Sequence, residues 1–384
     1  MIFFGDVSMI KFLHAADLHL DSPFSALPPD KAEVRRAEFR AAFTSLTMYA
    51  RMNKIDFLFL PGDLFDSDYA SRDTVALMRR EFANLPDCRV IIAPGNHDPF
   101  TGTSYYRRAE FPDNVFIFDT DEMSAFDFPD RNTTVYGWAF TSGQMTKCPL
   151  EGFEPEDGTR INILCAHGDL GKSGSVYCPI NPETLGRSGI DYAALGHIHE
   201  FSGVKKYGGT WAAYSGCLES RGFDELGPKG AVIGAAEKED GETKLGAKFI
   251  RFSKRVYETE TIDVTGAADN AEITDRIGEM IAEKHYGEDT ALRLVLTGNV
   301  PSGVSVSKSF IQARFPRLFM IETIDRTMPL LDAAALGRDP TIRGAFYASL
   351  KSMLESPDEK ERETAAAALR YGLAAIAGAD VVDF

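Results

Sequence analysis

Five short polar clusters carry the residues able to do chemistry: Asp17 with His19, Asp63 with Asp66, the run Asn96, His97 and Asp98, then His167, and last His197 with His199. Carboxylates, imidazoles and one amide, with no thiol among them, are the mixed nitrogen and oxygen donors of divalent transition-metal ions. Two such ions a few ångströms apart repel strongly, so a carboxylate must be shared between them. Asp63 suits that bridge, because it follows Gly62 at the end of an apolar run, where the chain turns and exposes the side chain. Asp17, His19 and His199 would complete one ion's set, and Asn96, His167 and His197 the other's. A metal pair acidifies its bound water and neutralises phosphoryl oxygens, so the chemistry expected is phosphoester hydrolysis by a metal-bridging hydroxide. His97, beside a ligand and not needed as one, is placed to protonate the leaving oxygen. Asp66 or Asp98 could orient that imidazole.

The elements that must position these residues are legible as apolar runs. Each cluster follows a plausible buried strand, at residues 10–15, 55–60, 90–93, 161–166 and 192–195. In layered α/β folds ligands bind at the carboxyl ends of strands, so the clusters are expected to meet along one edge of one sheet. Between the first strands, residues 31–49 place Phe39, Ala42, Phe43 and Leu46 at helical spacing, and residues 73–82 read as a second helix. Short strands at 115–118, 133–137, 161–166, 192–195, 210–214, 231–236 and 248–252 read as a second sheet facing the first. The fold class expected is α/β: a two-sheet sandwich flanked by helices over residues 9–255. A small α+β capping domain follows at 256–330, where Ile273, Ile277, Met280 and Ile281 mark a helix between strands at 261–264 and 291–296. A C-terminal helical segment occupies 331–384. It holds one helix at 342–354 and a second with Ser356 as cap, Pro357 as first helical residue and Glu359 as capping-box partner. Leu369, Leu373 and Ile376 are expected in its core.

At 384 residues the chain exceeds one ordinary core. Its 44% hydrophobic and 26% charged residues are those of a soluble protein, and no apolar stretch is long enough to span a membrane. The stretch Met1 to Ser8 is too short, and too acidic at Asp6, for a secretory signal, and Met9 is an alternative start. Five cysteines without a Cys-x-x-Cys pair read as free thiols of a reducing compartment, the cytoplasm, and not as a zinc site. The net charge of −16 argues against binding nucleic acid by bulk electrostatics and leaves room only for a local basic surface. Arg107, Arg108, Lys172 and Arg187, with Lys205, Lys206 and Arg221, are the cations near the clusters that could touch a phosphodiester backbone. Of seven histidines, His14 falls within the first strand as a packing residue and His285 near a helix end as a solvated one, while the rest lie in the clusters. Each cluster alone is commonplace; the ordered set is not.

The stretch His14-Ala15-Ala16-Asp17-Leu18-His19-Leu20-Asp21-Ser22-Pro23, with Gly62-Asp63-Leu64-Phe65-Asp66 and Gly95-Asn96-His97-Asp98, resembles the calcineurin-like metallophosphoesterases. Within them it is similar to the SbcD-type DNA-repair nucleases and their YhaO-like bacterial branch. The resemblance extends over about residues 10–218. It implies the metallophosphoesterase sandwich, manganese ahead of iron, zinc or nickel, and exonuclease or endonuclease action on DNA. It also implies an SbcC-like coiled-coil ATPase as partner and allows a homodimer. Protein phosphatases of the superfamily carry an Asp-Arg pair where this chain has Asp66-Ser67, and archaeal and eukaryotic nuclease relatives place a histidine where Asp66 stands. The direction of digestion is therefore open. Two other readings share the motifs: a phosphodiesterase of cyclic nucleotides or nucleotide-linked lipids, and a non-catalytic scaffold that retains the metal fold.

Overall fold

The computed structural model describes residues 9–66, 70–301, 304–330 and 332–376. Met1–Ser8 and Ser67 fall outside them. Strand β1 (Ile10–His14) is buried on both faces except at Lys11, as a strand covered above and below must be. Helix α1 (Pro29–Met52) returns the chain to β2 (Phe57–Leu60), and α2 (Arg72–Ala83), capped by the Ser71 hydroxyl, returns it to β3 (Arg89–Ile92). Then follow α3 (Tyr105–Arg108), β4 (Val115–Ile117), β5 (Ser124–Phe128), β6 (Thr133–Gly137) and β7 (Ile161–His167). The short strands β8 (Asp169–Leu170) and β9 (Pro179–Ile180) precede α4 (Pro182–Arg187), β10 (Tyr192–Gly196), β11 (Lys205–Tyr207) and β12 (Thr210–Tyr214). A long hairpin, β13 (Gly230–Glu239) with β14 (Glu242–Arg251), closes this part.

One sheet runs β14-β13-β1-β2-β3-β4 and the other β11-β12-β10-β7-β6-β5. Phe12, Phe57, Phe59 and Ile91 of the first share a core with Val135, Ile163, Tyr192 and Ala194 of the second. On the outer side of the first sheet, Phe39, Phe43 and Leu46 of α1 pack on Leu13, Leu58 and Leu60. His14 ties the sheets together: its Nδ1 lies 3.0 Å from the Tyr192 hydroxyl and its Nε2 3.1 Å from the Leu195 carbonyl. Burial lowers its pKa to about 3, so it is neutral and structural.

The two-sheet α/β sandwich flanked by helices is the fold expected, but three strands sit elsewhere than foreseen. The segments at 115–118, 231–236 and 248–252 belong to the first sheet: β4 pairs in parallel with β3, and the hairpin joins β1 antiparallel. Short apolar runs state that a strand is buried, not which sheet it joins. Gly234 does mark the pairing, because any Cβ there would lie 2.2 Å from the Phe12 ring. The clusters also meet from two sheets, β1, β2 and β3 against β7 and β10, and not along one sheet's edge.

A second unit spans Tyr257–Phe384, set off from Met1–Val256. Strand β15 (Val256–Asp263), helix α5 (Asn270–Glu283), strands β16 (Thr290–Thr297) and β17 (Asn299–Val300), helix α6 (Lys308–Arg314), and strands β18 (Met320–Asp325) and β19 (Met328–Pro329) come first. Ile273 and Ile277 of α5 pack with Leu292, Leu294 and Leu296 of β16. Helices α7 (Ala333–Leu336), α8 (Ile342–Leu354) and α9 (Glu359–Ile376) share a small core of Leu336, Tyr347, Leu369 and Leu373. Here the structure corrects two expectations. Pro357 stays outside α9, since the Asp358 carboxylate accepts the Lys360 N–H at 2.9 Å and Ser356 bonds Asp358 instead. Ile376 is 37% exposed and not core. Among the described residues no helix is long and apolar enough to cross a membrane.

Candidate metal centre

The loops after β1 and β2 keep pairing beyond the strands, with Asp17 N–H donating to Gly62 O at 3.1 Å and His19 N–H to Asp63 O at 3.0 Å. Asp17, His19, Asp63 and His197 all have left-handed backbone, at φ 53, 41, 54 and 111. Glycines make the room: a Cβ on Gly95 would lie 2.3 Å from Asp63 Oδ1, and one on Gly196 would lie 1.8 Å from the Pro61 carbonyl.

Within this frame the donors converge. His19 Nε2 lies 3.3 Å from His199 Nε2 and 3.9 Å from Asp63 Oδ2. Asp17 Oδ1 is 3.9 Å from His199 Nε2 and 4.0 Å from His167 Nδ1. His167 Nε2 stands 3.4 Å from Asp63 Oδ2 and 2.9 Å from Asn96 Oδ1. Two compact triads result, Asp17-His19-His199 and Asp17-Asp63-His167. His197 flanks them: its ring centre is 5.1 Å from that of His167, and its backbone N–H donates to Asp17 at 3.0 Å.

The far nitrogen of each converging histidine meets an oxygen. Asp66 Oδ1 is 3.0 Å from His19 Nδ1, Pro61 O is 3.0 Å from His167 Nδ1, and Glu225 Oε1 is 2.7 Å from His199 Nδ1. Each acceptor fixes the proton on Nδ1 and turns the Nε2 lone pair inward, the arrangement a metal ligand needs. Burial pushes the Asp17 pKa up to about 7, with the Asp63 charge adding to it. Burial lowers His19 and takes His167 to about 4, so both present neutral imidazoles. Burial alone would raise Asp63, and positive charge on His167, His19 or His97, where they carry it, draws it below the ordinary carboxylate range. Two buried carboxylates facing inward lone pairs form a donor set that fits divalent cations.

His97 differs from the other four. Its side chain is 48% exposed, and its Nδ1 lies 2.9 Å from Asp66 Oδ1, the same oxygen that orients His19. That hydrogen bond raises the His97 pKa. Asp98 makes no contact with the imidazole; it is a bolt between loops, accepting Asp63 N–H at 3.1 Å, Gly95 N–H at 2.7 Å, Leu64 N–H at 2.7 Å and the Tyr106 hydroxyl at 2.6 Å.

The basic residues divide. Lys172 Nζ is 3.6 Å from Asp169, which itself lies 3.5 Å from His197 Nε2. Arg107 and Arg108 are exposed on α3, with Arg107 over the Phe100 ring. Arg187 ends α4 ahead of the start of β10, whose other end carries His197, so the fold does not bring it to the cluster. Lys205 and Lys206 lie on β11, Lys206 over Trp211. Sequence reasoning missed Asp169, Glu225 and Tyr177, whose ring centre is 4.9 Å from that of His197. Asp169 stands two residues beyond His167 and could have been noticed; Glu225 has no neighbouring motif to announce it.

With this geometry in view, the chain belongs to the calcineurin-like phosphoesterase family, which residues 10–201 match. The two cations its donors fit are those of a dinuclear-metal-dependent family. The chain is 31% identical to the uncharacterized metallophosphoesterase YhaO of Bacillus subtilis over 304 residues, 76% of this chain and 72% of that protein. It is 22% identical to the SbcD component of the nuclease SbcCD from Staphylococcus epidermidis over 255 residues, 56% of this chain and 63% of that one. A dimetal phosphatase from Danio rerio superposes over 63% of this chain and 96% of its own, at 12% identity and a TM-score of 0.40.

Proposed function

We propose that this protein is a manganese-dependent DNA nuclease, an exonuclease or endonuclease of DNA repair that works in the cytoplasm with an SbcC-like coiled-coil ATPase. One observation carries the reading: a donor set buried at Asp17, His19, Asp63 and His167 and half-buried at Asn96, His197 and His199 has one half-exposed imidazole, His97, held at its edge by Asp66. When bound, two divalent cations supply a water of lowered pKa and charge to neutralise phosphoryl oxygens. Asp63 would be shared between the two ligand sets, its Oδ2 lying 3.9 Å from His19 Nε2 and 3.4 Å from His167 Nε2. His97, whose pKa the Asp66 hydrogen bond raises, would give its proton to the leaving alkoxide oxygen. Lys172, Arg107 and Arg108 offer charge to neighbouring phosphates. Similarity to a protein named as part of a nuclease supports DNA as the polymer, and nitrogen-rich ligation without thiolate supports manganese over magnesium. Residues 256–330 are assigned a capping role, and residues 331–384 the docking of the ATPase.

The test is digestion of end-labelled duplex and single-stranded DNA by the purified chain with each metal, alone and with a candidate ATPase. Manganese-dependent cleavage that Asp63→Asn abolishes is the expected result. DNA left intact while a small chromogenic phosphodiester is hydrolysed would replace the nuclease with a small-molecule phosphodiesterase.

A further inference from the structure

The loop after Cys217 carries a guanidinium that the donor set does not use. The Arg221 backbone N–H donates to Glu225 Oε2 at 2.6 Å, and its Nε donates to Glu225 Oε1 at 3.0 Å. The same loop is pinned from behind by the buried Arg35, which donates to Glu219 Oε2 at 2.9 Å and to the Ser220 carbonyl at 2.8 Å. Arg221 is thus fixed in place while its side chain stays 30% exposed.

The contact of Arg221 with His199 is the informative one. Arg221 Nη2 lies 3.1 Å from His199 Nδ1. For His199 to turn its Nε2 lone pair toward Asp17 and His19, Nδ1 must carry the proton, and Glu225 Oε1 receives it at 2.7 Å. Nη2 then faces an N–H, to which it cannot donate. Glu225 accordingly secures the guanidinium through Nε, and the Nη2 edge is left for an acceptor from outside the protein. A planar fork of permanent positive charge matches the oxygens of a phosphate.

We propose that Arg221 is a substrate-binding residue that donates to a non-bridging oxygen of the phosphate undergoing attack, with Glu225 holding Arg221 and His199 in register. This rests on the reading of the centre as a phosphodiesterase. The experiment titrates inorganic phosphate calorimetrically into manganese-loaded wild type, Arg221→Ala and Arg221→Lys, with metal content measured on each. Arg221→Ala should keep wild-type metal content and bind phosphate about ten- to hundred-fold more weakly, the worth of a charge-assisted hydrogen bond. Arg221→Lys should fall between, and guanidinium ion should restore part of the kcat/KM of Arg221→Ala but not that of Arg221→Lys. Phosphate affinity within twofold of wild type in the Ala variant, or in the Lys variant if the Ala chain does not fold, would overturn the proposal. Loss of metal in step with affinity would also overturn it, by making Arg221 a prop for His199. Wild-type protein that hydrolyses no phosphodiester but still binds phosphate through Arg221 would sink the phosphodiesterase reading and leave the anion site standing.

Discussion

Gly196→Ala adds a single methyl group, and the structure states what it meets. The new Cβ would lie 1.8 Å from the Pro61 carbonyl oxygen, 3.0 Å from Ala16 Cβ and 3.0 Å from His167 Nδ1. Ordinary carbon–oxygen contacts begin at roughly 3.3 Å, so strand β10 and the β2 loop must part by more than about 1 Å. The other two neighbours close the directions in which the methyl could escape. Overpacking of this kind costs about 3 kcal/mol, or roughly 6–12 °C in a unit of some 250 residues. Function should fall further than stability, because the displaced Pro61 carbonyl is the acceptor that fixes the His167 proton on Nδ1. A shift of about 1 Å at a ligand-orienting group can cost about a hundredfold in rate. Thermal melting, metal content and phosphodiester hydrolysis together test this. Wild-type values of all three would refute the reasoning, whereas a lowered melting point with full turnover would show that Pro61 does not orient His167.

His97→Ala should leave metal content near wild type and lower kcat by about 10²- to 10⁴-fold, and unchanged turnover would remove His97 as the acid. Asp66→Asn keeps an acceptor oxygen but removes the negative charge that raises the His97 pKa, so the acid form is lost at lower pH and the alkaline limb of the kcat profile should move down; an unmoved limb would detach it from His97. Asp98→Asn cannot satisfy all four donors that now meet one carboxylate, and should cost about 2–4 kcal/mol in chemical denaturation. A midpoint equal to wild type would refute that account.

The ordered clusters were legible because parallel strands display their function at their carboxyl ends, and glycine, aspartate and histidine at those ends have few structural reasons to recur. The residues that hold the clusters were less legible. Glu225 acts on His199 across a loop from 26 residues away, and Asp98 reads like a partner of His97 until four donors from Asp63, Leu64, Gly95 and Tyr106 are seen on its carboxylate. Arg187 shows the reverse error, since nearness in sequence to His197 places it at the wrong end of β10. Sheet membership failed for a related reason: β4 and β13 are apolar enough for either sheet, β14 follows β13 as the edge strand of a hairpin, and the choice is made by pairing partners distant in sequence.

The ligand loops carry a cost that a bound cation would help to offset, and this makes metal removal a stability experiment. Asp17, His19, Asp63 and His197 sit in left-handed backbone, which costs non-glycine residues about 1–2 kcal/mol each. Asp17 and Asp63 are also buried together, and burial lifts Asp17 to about 7. A ligand present at about a hundred times its Kd adds about 2.7 kcal/mol per site to the folded state. Manganese should therefore raise the melting point over that in chelator by at least roughly 5 °C. Magnesium should raise it less, because imidazole suits it poorly. Asp63→Asn should abolish most of the difference if, as proposed, its carboxylate serves both ligand sets. Equal midpoints in chelator and in manganese would mean that the loops are held by their own hydrogen bonds, and that the left-handed ligand residues are no measure of metal affinity.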